Sequence, residues 1–258
     1  AMDRVAFAVH AHPDDIEFMM AGTLLLLRNR GWQVHYMTVA DGNCGSAETG
    51  PEETARIRAQ EAREAAAELG ARFYPSITHD MEVFYTKELL QKLAATIRKV
   101  APDLVLVASP EDYMEDHMNA CRLAVSAAFA KGMPNFSTDP QVAPIGKDLA
   151  LYHAMPHGLR DGLNCPVSPD FLIDISSVID AKEKALSMHK SQKEWLDRSQ
   201  GFDSYLKAMR DMSAEAGRLA SPAFAFAEGW RRHSHLGYSA KPIDPLSEEL
   251  HDLKRELS

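Results

Sequence analysis

The residues from Ala11 to Asp15 (AHPDD) carry the side chains in this sequence that are most informative about chemistry. His12 and Asp15 are three residues apart, and Pro13 stiffens the turn between them, so both side chains can face one cation. Asp14 would point elsewhere and could accept a proton from water activated by that cation. Aspartates that follow a strand are also common helix N-caps, so this segment alone does not establish a metal site.

A second segment with similar side chains, SPEDYMEDH, covers residues 109–117. His117 at its end could supply a third ligand, which gives a site of two imidazoles and one carboxylate. Nitrogen and carboxylate ligands with an open fourth position suit catalytic zinc, and iron, cobalt or manganese also fit. The two segments together predict a metal site formed by His12, Asp15 and His117, with Asp14 as the general base.

Both segments follow short apolar runs that are typical of strands buried on both faces. Strand-like runs cover residues 4–10, 32–39, 71–78 and 103–108, and helical segments cover residues 16–30, 51–69, 87–100 and 115–131. This alternation predicts a Rossmann-like α/β fold, in which a mostly parallel sheet has helices on both faces in three α/β/α layers.

The predicted topology also brings the two segments together. In open α/β sheets, ligands gather at the carboxyl ends of the strands, at the point where the strand order reverses. With the common order 3-2-1-4, this point lies between the first and fourth strands. The loops at residues 11–15 and 109–117 would then meet in one crevice.

The second half of the chain is less regular. Residues 171–175 (FLIDI) predict a further strand, and long helical segments are predicted from Ser176 to Phe226. We therefore predict one domain over residues 1–258, with residues from about 176 onwards helical and wrapped around the core. This part contains a basic cluster, formed by Arg231, Arg232, His233 and His235. It could contact an acidic group of a substrate or of a neighbouring subunit, but a solvated helix end is the preferred interpretation.

Composition narrows the classes of partner. The chain has 28 Lys and Arg against 37 Asp and Glu, a net charge of −9, which argues against nucleic acid or an anionic membrane as the main partner. The longest apolar run, residues 18–27, is shorter than the roughly 20 residues that a membrane span needs. Three widely spaced cysteines predict neither a disulfide framework nor a thiolate zinc site. The N-terminal residues do not resemble a signal peptide, so we expect a cytoplasmic protein that acts on a small molecule.

Taken together, these motifs resemble the LmbE-like or PIG-L family of zinc-dependent N-deacetylases. The resemblance covers nearly the whole chain and is carried by AHPDD, TVADGNCGS (38–46), Arg58 with Glu61, Asp80, the loop ending in Asp116 and His117, IDIS (173–176), KAL (184–186) and HKSQ (189–192). It implies zinc binding and general-base catalysis for the four residues assigned above, and it is compatible with a homo-oligomer.

The resemblance further implies that Arg58 and Asp80 contact the sugar or polar head of the substrate. Arg58 could instead form a surface salt bridge with Glu61 on its own helix. Asp80 could equally be a turn residue. Both alternatives remain open at the level of sequence.

One segment departs from the family pattern. Many members carry His-Pro-Asp-His in the second loop, and the first His helps to stabilise the oxyanion. Here the corresponding stretch is MEDH (114–117), and Met114 cannot donate a hydrogen bond. The loop is similar to a family branch with an Asp-Tyr-Met-x-Asp-His pattern. Candidate donors in place of the missing His are Tyr113, His153 and His157.

The activity implied by the resemblance is hydrolysis of an N-acetyl amide on an N-acetylglucosamine-type sugar conjugate. Zn²⁺ is the expected cofactor, and another divalent metal such as Fe²⁺ would also fit. Two alternatives remain: an amidase for a non-acetyl or thiol-conjugate amide, and a non-catalytic binding protein on the same scaffold. Asp14 argues against a binding protein, because such a protein needs no further carboxylate beside the metal. The sequence contains no nucleophile elbow, phosphate-binding loop or dinucleotide fingerprint.

Overall fold

A computed structural model describes residues 4–200 and 204–257 of the protein. Within these ranges the strands are β1 (Val5–His10), β2 (Gln33–Thr38), β3 (Arg72–Tyr74), β4 (Leu104–Val107), β5 (Ala150–Ala154), β6 (Phe171–Asp174), β7 (Ala227–Arg232) and β8 (Lys254–Glu256). They form a single sheet in the order β3-β2-β1-β4-β5-β7-β6-β8. Strands β1 to β5 pair in parallel, and β7 pairs antiparallel with β5 and β6, as does β8 with β6. The predicted order 3-2-1-4 is confirmed.

Helices pack around this sheet. They are α1 (Asp15–Met19), α2 (Ala21–Asn29), α3 (Pro51–Glu68), α4 (Lys87–Val100), α5 (Glu115–Phe129), α6 (Ile179–Leu186), α7 (Lys190–Gln200), α8 (Ser204–Gly217) and α9 (Pro245–Glu249). In the described ranges, none of them combines the length and the apolar character that crossing a membrane requires.

The apolar composition of β1 explains why it lies in the middle of the sheet. All six of its residues are buried. Ala6 and Ala8 belong to one hydrophobic cluster, and Phe7 and Val9 belong to a second cluster on the opposite face. Because successive side chains of a strand point to opposite faces, helices must cover both sides of the sheet. The predicted Rossmann-like fold with helices on both faces is confirmed.

The helix predicted over residues 16–30 is divided into α1 and α2. Met20 between them has non-helical backbone angles (φ −133°, ψ −18°). The new N-terminus is capped by Glu228 of β7, whose carboxylate accepts the backbone N–H groups of Gly22 at 2.7 Å and Thr23 at 2.8 Å. A carboxylate at this end satisfies amides that a helix leaves unpaired, and no local pattern could reveal a partner about two hundred residues away.

The prediction that residues from about 176 onwards are helical requires a correction. Strands β7 and β8 lie in this region and extend the sheet. The basic cluster is therefore not a solvated helix end, because Arg231 and Arg232 belong to β7. Arg232 pairs with Asp244 at 2.8 Å and with Glu256 at 2.6 Å. The sequence of β7, AEGWRR, has little intrinsic strand preference, and its neighbours in the sheet determine its conformation.

Candidate active site at the ends of β1 and β4

The loops that follow β1 and β4 meet at one open cavity of about 470 Å³. This position is the predicted switch point of the sheet, because β1 pairs with β2 on one side and with β4 on the other. All the predicted site residues line this cavity, namely His12, Asp14, Asp15, Arg58, Asp80, Tyr113, His117 and His157. The structure therefore brings together residues that are up to 145 positions apart in sequence.

Three imidazole rings surround one carboxylate oxygen at the cavity floor. Asp15 Oδ2 lies 3.1 Å from His10 Nδ1, 3.3 Å from His12 Nδ1 and 3.2 Å from His117 Nε2. Two ligands of a tetrahedral zinc ion, each about 2.0–2.1 Å from it, lie roughly 3.3–3.4 Å apart. The spacing therefore fits donors that share one small divalent ion.

His10 and His12 are the two candidates for the second imidazole ligand, and the contacts of their ring nitrogens distinguish them. Donor atoms of His10, Asp15 and His117 all lie within 4.8 Å of one another, which makes these three one candidate set. However, the His10 nitrogen that faces Asp15 is Nδ1, and this atom already accepts the backbone N–H of Ala11 at 2.8 Å. His12 keeps its Nδ1 towards Asp15, because its Nε2 lies 2.8 Å from Asp116 Oδ2.

His117 has an equivalent support. Its Nδ1 lies 3.1 Å from Oδ2 of Asp112, a residue that is only 3% exposed, and its Nε2 faces Asp15. Metal-binding histidines usually place a carboxylate or carbonyl on the ring nitrogen that does not bind the metal. His12 and His117 both follow this rule through Asp116 and Asp112. The ligand set His12, Asp15 and His117 thus stays a prediction. The contacts of Asp116 and Asp112 with the two histidines favour it over the set that contains His10.

The electrostatic field at this point favours positive charge. Burial by itself would lower the pKa of His117, but Asp15 and Asp112 raise it to about 10. In the same way, Asp116 and Asp15 outweigh burial and raise the pKa of His12 to about 9. The neighbouring histidines hold the pKa of Asp15 well below its usual range despite burial. A divalent cation would satisfy the same field, so the donor set fits a metal ion.

Asp14 faces a different set of partners. Its backbone lies in the left-handed region at φ 97°, which turns its side chain away from the imidazoles. The Tyr205 hydroxyl donates to Asp14 Oδ2 at 2.7 Å, and Arg58 Nη2 lies 3.7 Å from the same oxygen. Burial raises the pKa of Asp14 to about 6, although Arg58 acts in the opposite direction. A carboxylate with such a pKa is ionised at neutral pH and is suited to act as a general base.

Arg58 is a buried residue that braces the loops. It is 4% exposed and donates to the Pro13 carbonyl at 2.6 Å and to the Gly42 carbonyl at 3.2 Å. The surface salt bridge with Glu61 is not formed, since Glu61 accepts the backbone N–H and the hydroxyl of Ser191 instead.

Asp80 holds the loop that follows β2. Its two carboxylate oxygens accept the backbone N–H groups of Gly42 at 2.8 Å and Cys44 at 3.1 Å. His12 Nε2 lies 3.9 Å from Asp80 Oδ1. Substrate contact by Arg58 and Asp80 stays a prediction, and their observed contacts favour positioning of the cavity wall.

The candidate replacements for the missing oxyanion donor separate into two groups. Tyr113 and His157 line the cavity, and their rings lie 6.0 Å apart. His153 lies behind it, where its Nδ1 lies 3.0 Å from the Ala108 carbonyl oxygen and its Nε2 lies 2.8 Å from His233. Burial lowers the pKa of His153 to about 4, so this ring is neutral in the folded protein. Tyr113 and His157 are the donors that the structure leaves at the site.

Sequence reasoning missed several residues around Asp14. Tyr205 comes from α8 and gives no local signal of its role. Glu17 is fully buried and accepts from the Tyr36 hydroxyl at 2.9 Å, and its Oε1 lies 2.9 Å from His189 Nε2. His189 of the HKSQ motif thus belongs to a buried polar network next to the site. The match of this motif to the family was a signal in the sequence that pointed to this region.

Fold and site together define an α/β protein with a candidate metal centre beside a half-buried carboxylate, and comparison with known proteins agrees with this class. Residues 7–129 match the model of the PIG-L family, described as GlcNAc-PI de-N-acetylase. The diacetylchitobiose deacetylase of Thermococcus kodakarensis is 31% identical over 191 aligned positions, and the alignment covers 71% of this chain and 68% of that protein. The chain belongs to the PIG-L (LmbE-like) family.

A solved structure supports the same relationship. The N,N′-diacetylchitobiose deacetylase from Pyrococcus horikoshii, in complex with its inhibitor MPG, aligns with a TM-score of 0.74 at 26% identity and covers 95% of this chain and 89% of that one. A relative with a different reaction, 4-oxalmesaconate hydratase of Pseudomonas putida, is 28% identical over 195 aligned positions, and the alignment covers 72% of this chain and 73% of that protein. Similarity to these relatives therefore does not by itself determine the reaction of this chain.

Proposed function

We propose that the protein is a metal-dependent hydrolase that removes the N-acetyl group from an N-acetylglucosamine-type sugar conjugate. The observation that carries this proposal is the pairing of a half-buried, ionisable Asp14 with the three-imidazole cluster on Asp15 beside one cavity. The deacetylases of diacetylchitobiose among its relatives support the choice of substrate class.

His12, Asp15 and His117 would hold the ion, and zinc is the metal we propose. When bound, such an ion lowers the pKa of its water towards about 7 and polarises the acyl carbonyl. Asp112 and Asp116 orient the two histidines by occupying the ring nitrogens that face away from Asp15.

Asp14 performs the proton transfers in this proposal. Its carboxylate accepts a proton from the attacking water and returns it to the amine that leaves. Tyr205 and Arg58 keep the carboxylate aimed into the cavity. Tyr113 or His157 donates a hydrogen bond to the developing oxyanion, a role in which one good donor contributes roughly 3–4 kcal/mol.

The test uses zinc-loaded protein with N,N′-diacetylchitobiose and measures released acetate and primary amine. We expect turnover by the wild type and a loss of about 100-fold or more in Asp14→Asn, with the metal content unchanged. The matched control is Asp211→Asn, which changes an exposed aspartate on α8 and should leave turnover unaltered. Full turnover in Asp14→Asn would exclude Asp14 as the base, and no amine release by the wild type would exclude deacetylation of this substrate.

A second experiment decides between the two imidazole candidates. Elemental mass spectrometry should find about one metal ion per chain in the wild type and in His10→Asn, and none in His12→Ala. The opposite result, with metal lost in His10→Asn and kept in His12→Ala, would assign the site to His10, Asp15 and His117.

A further inference from the structure

A second cavity lies beside the catalytic one. It has a volume of about 560 Å³ and is formed by the loop after β2, the first part of α3 and the helix α7. Gly45 and Trp195 line both cavities, so the two spaces meet along these two residues. The proposed deacetylation uses only the first cavity, where Asp14 and the candidate metal ligands lie.

Buried polar contacts fix the boundary between the cavities. Gln192 of α7 is 6% exposed and donates from Nε2 to the Gly45 carbonyl at 2.7 Å. One residue earlier, Ser191 donates its backbone N–H and its hydroxyl to Glu61 of α3, both at 2.8 Å. These bonds tie α7 to the loop and to α3, and they hold Trp195 at the junction.

Gly45 keeps the junction open because it has no side chain. A Cβ at this position would lie 2.5 Å from Arg58 Nη1 and 3.1 Å from Gln192 Nε2. A side chain here would force the ends of Arg58 and Gln192 to move, so glycine lets the loop pass between them in their present positions.

The second cavity carries groups suited to a carbohydrate. Trp195 is 44% exposed and offers a large aromatic face against which the apolar face of a sugar ring can pack. Hydroxyl groups that can bond to sugar hydroxyls come from Ser46 and Thr49, whereas the hydroxyls of Thr54 and Ser191 already donate to the Gly50 carbonyl and to Glu61. Glu48 and Arg198 form an ion pair at the rim, so charges of both signs are present and a neutral ligand fits better than a strongly charged one.

We propose that the second cavity is a subsite for the unit attached to the N-acetylated sugar, and that this unit is a second sugar ring or a hydroxyl-rich group of similar size. The proposal rests on the deacetylase function proposed above. The acetylated ring lies in the first cavity over Asp14, and the attached unit passes Trp195 into the second. Each cavity has the volume of a small-ligand site, so a monosaccharide would use only the first. Trp195 is a specificity-determining residue in this arrangement.

The kinetic test compares kcat/KM for N-acetylglucosamine and N,N′-diacetylchitobiose. We expect the wild type to prefer the disaccharide, and Trp195→Ala to lower its kcat/KM by about tenfold through KM, with a smaller effect on the monosaccharide. Trp195→Phe should restore most of the preference because it keeps an aromatic face. Ala47→Trp, a change at an exposed position in the second cavity, should lower the same ratio by obstruction. Leu219→Ala, which truncates an apolar residue with a similar exposure of 47% elsewhere, is the control that should leave the ratio unchanged.

A binding measurement separates this proposal from the proposed function. Calorimetric titration of zinc-loaded Asp14→Asn with each sugar measures affinity without turnover. Tighter binding of the disaccharide, lost on adding Trp195→Ala, supports the subsite even if the wild type releases no acetate. Equal affinities for the two sugars, or an equal loss for both in Trp195→Ala, would overturn it.

Discussion

Arg58 provides the sharpest test of how the site is built, because sequence and structure suggest different roles for it. The resemblance to the family implies a substrate contact, whereas the structure shows a buried guanidinium that bonds to the carbonyls of Pro13 and Gly42. The informative change is Arg58→Met, which keeps the helix preference and much of the side-chain volume and removes the donors.

The expected loss of stability follows mainly from the Pro13 carbonyl, because the Gly42 carbonyl also accepts the backbone N–H of Gly45 at 3.0 Å and keeps that partner. A buried acceptor left without a partner costs about 1–3 kcal/mol. We therefore expect the free energy of unfolding to fall by about 2 kcal/mol. The loop that carries Asp14 would shift, and a displacement of about 1 Å at a catalytic group lowers kcat roughly 100-fold.

Two measurements on the same samples check this reasoning. Urea unfolding followed by circular dichroism gives the free energy of unfolding, and steady-state kinetics gives kcat and KM separately. Arg56→Met is the matched control, since Arg56 lies on the same helix at an exposed position and should change stability by less than about 0.5 kcal/mol.

The result that would refute the bracing role is also specific. If Arg58→Met keeps the stability and kcat of the wild type and raises only KM, the side chain binds the substrate in its ground state. The structural account of Arg58 would then be wrong, and the role implied by the family resemblance would be right.

Three further predictions concern the metal, a buried ion pair and a buried histidine. Treatment with a chelator should abolish turnover and lower the melting temperature. Added zinc at 100 times its Kd should raise the free energy of unfolding by about 2.7 kcal/mol, because the ion binds only the folded protein. An unchanged melting curve would contradict a metal site in the folded protein. Lys182→Met should lower the free energy of unfolding, measured with urea, by about 3–5 kcal/mol, because the buried Glu228 carboxylate loses the Lys182 ammonium group that lies 2.9 Å away. The double variant Lys182→Met with Glu228→Gln should recover part of this loss. His153 is neutral when folded because burial lowers its pKa to about 4, so protonation of the unfolded chain removes up to about 3 kcal/mol of stability as the pH falls from 6.5 towards 4. His153→Gln should flatten this dependence in urea unfolding at several pH values, and an equally steep loss in the variant would assign it to other groups.

The sequence already determines the central part of the fold and the motif at its edge. The segments that form β1 and β4 are apolar except for His10 at the end of β1. Their alternation with helical segments predicts a parallel sheet with these two strands at its centre. The switch point between β1 and β4 was therefore predictable. The AHPDD segment follows β1 directly, and its residue types suffice to indicate a metal ligand and a base. These features depend on neighbours within a few residues, which is why composition and spacing reveal them.

Tertiary structure decides what surrounds those residues. The partner of Asp14 is Tyr205, which is 191 positions away, and the start of α2 is capped by Glu228 from a strand that no local pattern predicts. The preference for His12 over His10 depends on which ring nitrogen Ala11 or Asp116 occupies, and only the folded arrangement shows this. The second cavity exists because α7 packs against α3 and the loop at Gly45. The sequence specifies which groups are present, but their pKa values, their hydrogen bonds and the spaces between them arise only when distant segments exclude water and pack together.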